Sequence, residues 1–125
     1  MTKRILIVDD EEDIRDVVRV SIEEFAGWLA MTAASGAEGL QIARTSVLDV
    51  ILMDISMPDM DGFQMCEALK ADTQTQNIPV VVLTAKALQD DSDRFAKLDV
   101  AGVITKPFNP ITVWRQVAET MDWSI

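Results

Sequence analysis

Val50-Ile51-Leu52-Met53-Asp54 constrains what this chain can fold into more than any other stretch. An apolar run without polar alternation suits a strand covered on both faces, which is the setting of a parallel sheet. The segment Ser56-Met57-Pro58-Asp59-Met60-Asp61-Gly62 follows it and reads as a turn. Asp54 therefore stands at the carboxyl end of a buried strand, where open α/β sheets place their ligands. An aspartate in that position either caps the next loop or does chemistry. The remaining segments decide between the two.

Ile5-Leu6-Ile7-Val8 is a second buried-strand run, and it also ends in carboxylates, Asp9-Asp10-Glu11-Glu12-Asp13. A helix follows, with Ile14, Val17, Val18, Ile22 and Phe25 at spacings of three and four. Acids favour a helix N-terminus, which accounts for Glu11, Glu12 and Asp13 but not for a second acidic strand end. Gly27 stops this helix, and Trp28–Thr32 reads as a short edge strand. Ser35 caps a helix running through Leu40, Ile42 and Ala43, weakened by Gly36 and Gly39.

Gly62 opens a third helix carrying Phe63, Met65, Cys66 and Leu69, and the polar stretch Ala71–Asn77 is a loop. Pro79 is tolerated at the start of the strand Val80–Leu83 because the missing donor matters least there. That strand ends at Thr84, and a more polar helix is expected from about Gln89 to Leu98. Gly102-Val103-Ile104 is a last short strand, ending at Thr105-Lys106-Pro107-Phe108. Pro110 is expected to start a final helix with Ile111, Val113, Val117 and Met121 on it. Strand and helix alternate without linker or repeat, which predicts one α/β domain over residues 1–125 with a doubly wound parallel sheet.

The formal charge is −10 and the chain has no histidine. That balance argues against direct nucleic-acid contact, which needs clustered basic residues. It also removes imidazole as base or ligand, so any metal must be a hard cation held by oxygens. No apolar run is long enough to insert in a membrane, and the start is too soon acidic for a secretion signal. The single cysteine, Cys66, has no internal partner and falls among helical apolar positions. It reads as a small core residue in a reducing, cytoplasmic setting. Met57, Met60 and Met65 suit packing or soft contact, and Trp114 and Trp123 suit core or cover.

Four strand ends now carry polar groups: Asp9 with Asp10, Asp54, Thr84 and Lys106. In a parallel sheet these ends lie on one side and can converge. The set makes an oxygen-lined cation site facing a hydroxyl and an ammonium, which suits phosphoryl transfer.

With these residues in view, the chain resembles the receiver domain of two-component response regulators. The matching segments are Val8-Asp9-Asp10-Glu11, Met53–Gly62, Leu83-Thr84-Ala85 and Lys106-Pro107-Phe108, in family order and spacing. The resemblance covers essentially the whole chain and implies the flavodoxin-like strand order 2-1-3-4-5. It implies that Asp54 accepts a phosphoryl group from the phosphohistidine of a sensor histidine kinase or a phosphotransfer protein. It further implies Mg2+ as cofactor, with Asp10 a direct ligand, Asp9 acting through water, and Asp54 and the Ser56 backbone carbonyl completing the protein's share. Thr84 and Lys106 would hold phosphoryl oxygens, and the Lys106–Pro107 bond is expected to be cis, an inexpensive arrangement before proline. No separate substrate turnover is expected beyond the domain's own phosphorylation and dephosphorylation.

One position departs from the family pattern. Val103 stands where members commonly carry an aromatic whose swing reports phosphorylation, and a β-branched aliphatic has few rotamers. A pseudo-receiver acting only by binding is therefore kept as an alternative, although the acid and lysine set is intact. A haloacid-dehalogenase-type phosphatase would need a second aspartate where Ser56 stands. A flavodoxin-type flavin site would need a glycine- and hydroxyl-rich loop where the acidic run stands. The chain stops soon after its last helix, so a stand-alone receiver signalling to a downstream target protein is expected, with a receiver cut from a larger regulator or hybrid kinase as the alternative.

Overall fold

A computed structural model describes residues 2–55, 57, 60, 62–84 and 100–123. The helix expected from Gln89 to Leu98, and Ser56, lie outside the described residues.

Five strands form the sheet: β1 (Arg4–Val8), β2 (Leu29–Ala33), β3 (Val50–Asp54), β4 (Val80–Thr84) and β5 (Gly102–Thr105). All neighbouring pairs are parallel, and the order is β2-β1-β3-β4-β5, as expected. Every residue of β3 and β4 is buried, which is why their sequences are unbroken apolar runs. Alternate side chains leave the sheet on opposite faces and build two cores. Leu6, Val8, Ile51, Met53, Val80 and Val82 face helices α2 (Gly36–Thr45) and α3 (Gly62–Ala71), meeting Leu40, Ala43, Met65 and Leu69. Ile5, Ile7, Leu52, Val81 and Leu83 face helix α1 (Glu12–Val20) and helix α4 (Val113–Thr120), meeting Val18, Ile22 and Val117.

Ser35 caps α2 as expected, accepting a hydrogen bond from the Glu38 amide at 3.2 Å. Gly39 does more than weaken that helix. A Cβ built on it would lie 2.8 Å from Val8 Cγ2 and 2.9 Å from Met65 Cε, so its absence lets α2 sit directly on the sheet. Gly62 serves the turn after β3 in the same way, because its Cβ would meet the Ile55 Cα at 2.8 Å.

Three local expectations are corrected. The first helix does not stay α-helical to its end, since Ser21–Ala26 forms a π-helical segment before Gly27 closes it at φ 71°. The wider turn changes the helical phase. Ile22 stays buried while Phe25 is turned out to 51 % exposure. The edge strand covers Leu29–Ala33 rather than Trp28–Thr32, because its ladder with β1 runs from Arg4 opposite Leu29 to Val8 opposite Ala33. Pro110 opens a turn rather than a helix: Asn109 Oδ1 accepts from the Ile111 amide at 2.8 Å and α4 starts only at Val113, leaving Ile111 exposed.

Cys66 is buried with its Sγ 3.9 Å from Met53 Sδ, and Met57 and Met65 belong to the same core. The tryptophans form a cover. Trp28 meets Trp114 and Trp123 edge to face at 6.1 and 5.2 Å between ring centroids, and Lys3 Nζ lies 4.7 Å from the Trp123 ring centre.

Candidate functional site

The strand register decides what meets at the carboxyl edge of the sheet. Val8 pairs with Met53, Asp54 with Leu83, and Thr84 with Thr105. Each strand therefore ends at nearly the same level, and Asp9, Asp54, Thr84 and Lys106 are its terminal polar groups. The backbone continues the ladder past the strands, with the Asp9 amide donating to the Ala33 carbonyl at 3.1 Å and the Lys106 amide to the Thr84 carbonyl at 2.8 Å.

Asp9 is fully buried, Asp54 is 5 % exposed and Thr84 1 %. Buried carboxylates need partners. Lys106 supplies them, its Nζ lying 3.0 Å from Asp9 Oδ2 and 3.5 Å from Asp54 Oδ2. The other Asp9 oxygen, Oδ1, accepts from the Glu11 amide at 2.9 Å, and Arg15 Nη1 donates to the Asp9 carbonyl at 2.7 Å. Asp9 is thus pinned on three sides, which fixes the turn that leads from β1 into α1.

Among the described residues, Lys106 is the ammonium that faces the buried carboxylates. Burial disfavours its charged form, but the hydrogen bond to Asp9 and the charges of Asp9, Asp54 and Glu11 outweigh it and raise its pKa above the ordinary lysine value. The Lys106–Pro107 bond is cis, as the resemblance implies.

Carboxylate oxygens of Asp9, Asp10, Glu11 and Asp54 all lie within 4.8 Å of one another, the first and last buried and the middle two exposed. Among the described residues four carboxylates face one ammonium, which leaves the cluster an excess of negative charge. Hard oxygen donors at that spacing suit magnesium or calcium and not a soft metal. The site thus fits a divalent cation on its donor chemistry alone.

Three of these four acids are site residues expected from the sequence, whereas Glu11 is expected there only at the helix N-terminus. It does occupy the position before α1, but its side chain makes no capping hydrogen bond. The signal in the sequence was the length of the acidic run after Val8, longer than a helix end needs. Thr84 reaches the same edge, while the Ser56 carbonyl lies outside the described residues. Val103 is on β5 and 39 % exposed.

Residues 5–118 match the family model described as the response regulator receiver domain. The chain is 36 % identical over 117 residues to PhoP, the alkaline phosphatase synthesis transcriptional regulatory protein of Bacillus subtilis, covering 94 % of this chain and 48 % of that protein. It is 36 % identical over 109 residues to the polar-differentiation response regulator DivK of Brucella ovis, covering 87 % of this chain and 88 % of DivK. The chain therefore spans about half the length of PhoP and most of DivK. The solved structure of the chemotaxis response regulator CheY4 of Vibrio cholerae superposes with a TM-score of 0.88 at 31 % identity, covering 96 % of this chain and 99 % of that one. Fold, strand order, the acid and lysine motifs and these likenesses agree: the chain belongs to the receiver-domain family of two-component response regulators.

Proposed function

We propose that this chain is a phospho-accepting receiver in which Asp54 takes a phosphoryl group from a phosphohistidine. The observation that carries the reading is the convergence of Asp54 with Asp9, Asp10 and Lys106 at the edge of the sheet. Asp54 Oδ attacks the phosphorus, the nitrogen–phosphorus bond breaks, and the leaving imidazole keeps the bonding electron pair and takes up a proton. The donor belongs to another protein or another domain, because this chain has no histidine. A sensor histidine kinase or a phosphotransfer protein fits that requirement.

Asp10 and Asp54 are assigned as direct ligands of Mg2+, with Asp9 acting through water and the Ser56 carbonyl as a further donor. A divalent cation held by these residues would supply charge neutralisation for the transfer. Lys106 holds Asp9 and Asp54 in place before transfer and receives a phosphoryl oxygen after it. Thr84, buried beside them, offers its hydroxyl to a second phosphoryl oxygen. The mixed anhydride so formed hydrolyses readily, and the domain turns over no separate substrate.

Beside this site, Ile14, Val17, Phe108 and Pro110 with Lys106 and Pro107 line a mostly apolar groove of roughly 480 Å3. It supports docking of the phosphodonor within reach of Asp54. Among the described residues no helix is long and apolar enough to cross a membrane, and a cytoplasmic setting fits a chain whose single cysteine, Cys66, is buried and outside any disulfide. With a valine at position 103, readout to a downstream target protein runs through Thr84 and the backbone after β5.

Mass spectrometry tests the assignment. Acetyl phosphate with magnesium should add one phosphoryl group to the parent chain and none to Asp54→Asn, whose amide keeps the shape but is a poor nucleophile. Full labelling of that variant would remove Asp54 from the role.

A further inference from the structure

Two of the four clustered acids are committed and two are not. Asp9 has both carboxylate oxygens engaged, one by the Glu11 amide and one by Lys106. Asp54 shares the same ammonium. Among the described residues, no hydrogen bond or ion pair engages the carboxylates of Asp10 or Glu11, although an oxygen of each lies within 4.8 Å of Asp54. Glu11 has an alternative use that it does not take. It precedes α1 in extended conformation, φ −88° and ψ 114°, where a side chain ordinarily accepts from the first helical amides. Its carboxylate instead joins the other three acids, held at the mouth by a backbone whose amide is tied to Asp9.

We propose that Glu11 is a further cation-holding residue of this site, one that sets how much magnesium the unphosphorylated domain retains. The proposal rests on the phosphoacceptor reading above. The physical reason is the charge balance at the edge of the sheet. Among the described residues one ammonium, that of Lys106, faces the four carboxylates, and Asp9 already has one oxygen on that ammonium and the other on the Glu11 amide. Among the described residues the carboxylates of Asp10 and Glu11 carry no such contact, and both are open to solvent, so a hydrated cation reaches them without rearrangement of the core. Glu11 adds attraction for that cation directly or through its water, and adds equal repulsion for an anionic phosphodonor approaching the same mouth. Its two effects therefore have opposite signs.

The test is calorimetric titration of the unphosphorylated full chain with magnesium alone, comparing the parent with Glu11→Gln, Glu11→Asp and Glu12→Gln. Glu12 is the internal control: it is exposed, lies in the first turn of the same helix and stands outside the four-acid cluster. Loss of an outer-shell partner commonly weakens a metal site by about tenfold or more. Glu11→Gln should accordingly weaken magnesium binding by about tenfold, Glu11→Asp should recover most of it, and Glu12→Gln should stay within about twofold of the parent. In chelator-treated buffer Glu11→Gln should melt no lower than the parent, because no helix cap is lost. At saturating magnesium its labelling by acetyl phosphate should be at least as fast as that of Glu12→Gln. Equal magnesium affinities for Glu11→Gln and Glu12→Gln would overturn the proposal and leave Asp54 untouched, as would slower labelling of Glu11→Gln at saturating magnesium. A parent chain that binds no magnesium at tens of millimolar would overturn the phosphoacceptor reading and this proposal together.

Discussion

Lys106→Met tests whether the ammonium holds the acidic edge together before any ligand arrives. The variant keeps an unbranched stem of similar reach and removes the charge. Lys106 is 13 % exposed and lies 3.0 Å from a fully buried Asp9 carboxylate and 3.5 Å from that of Asp54. At an effective dielectric near 20, each contact is worth about 5 kcal/mol of attraction. Much of that offsets the cost of drying the three groups, yet removing one partner leaves carboxylates buried without their counter-charge. Such losses run to about 3–5 kcal/mol. Asp9 keeps the Glu11 amide and the mouth is open to water, so about 3 kcal/mol is expected, near 10 °C in melting temperature for a chain of this size.

The assay is thermal or urea unfolding in chelator-treated buffer. Asp9→Asn placed in the same chain should recover most of the loss, with a coupling energy above about 1.5 kcal/mol. Magnesium should narrow the gap by mass action. The pH dependence has a definite sign. The folded-state pKa of Lys106 is raised above 10.5, so its contribution is complete below that value and lost as pH rises through the higher folded-state value. The advantage of the parent over Lys106→Met should shrink only in that alkaline range. A variant that melts within about 2 °C of the parent at pH 7 without metal would refute the reasoning.

Two further substitutions probe the scaffold. Ser21 is buried with no partner for its Oγ among the described residues, so Ser21→Ala should raise stability by about 1 kcal/mol in urea unfolding, and a loss of that size would show that the hydroxyl is satisfied in solution. Gly39→Ala should gain about 1 kcal/mol of helix propensity but lose about 1–3 kcal/mol to the collision with Val8 and Met65. The net expectation is a lower urea midpoint with an unchanged slope, and a higher midpoint would mean that α2 shifts off the sheet at little cost.

The sequence alone determined the layers and the topology class, because that information is local. Ile5–Val8, Val50–Met53 and Val80–Leu83 are apolar without alternation, and only a strand covered on both faces needs that pattern. These runs end at Asp9, Asp54 and Thr84, and the short Gly102–Ile104 run leads to Lys106, so parallel strands with level ends make the meeting of the four foreseeable from residue order. Family spacing supplied the cis bond before Pro107 and the strand order.

How the charges are divided follows from the packing of the strand ends and not from residue order. Lys106 stands closer to Asp9 than to Asp54, and Glu11 joins the cluster instead of capping α1. Neither follows from residue spacing, because a flexible side chain chooses among partners that different strands bring within a few ångströms. The π-helical turn that exposes Phe25, and the turn that delays α4 to Val113, were hidden for a related reason. Hydrophobic periodicity reports which face a regular helix buries, and it carries no record of where packing against the sheet changes the pitch of that helix.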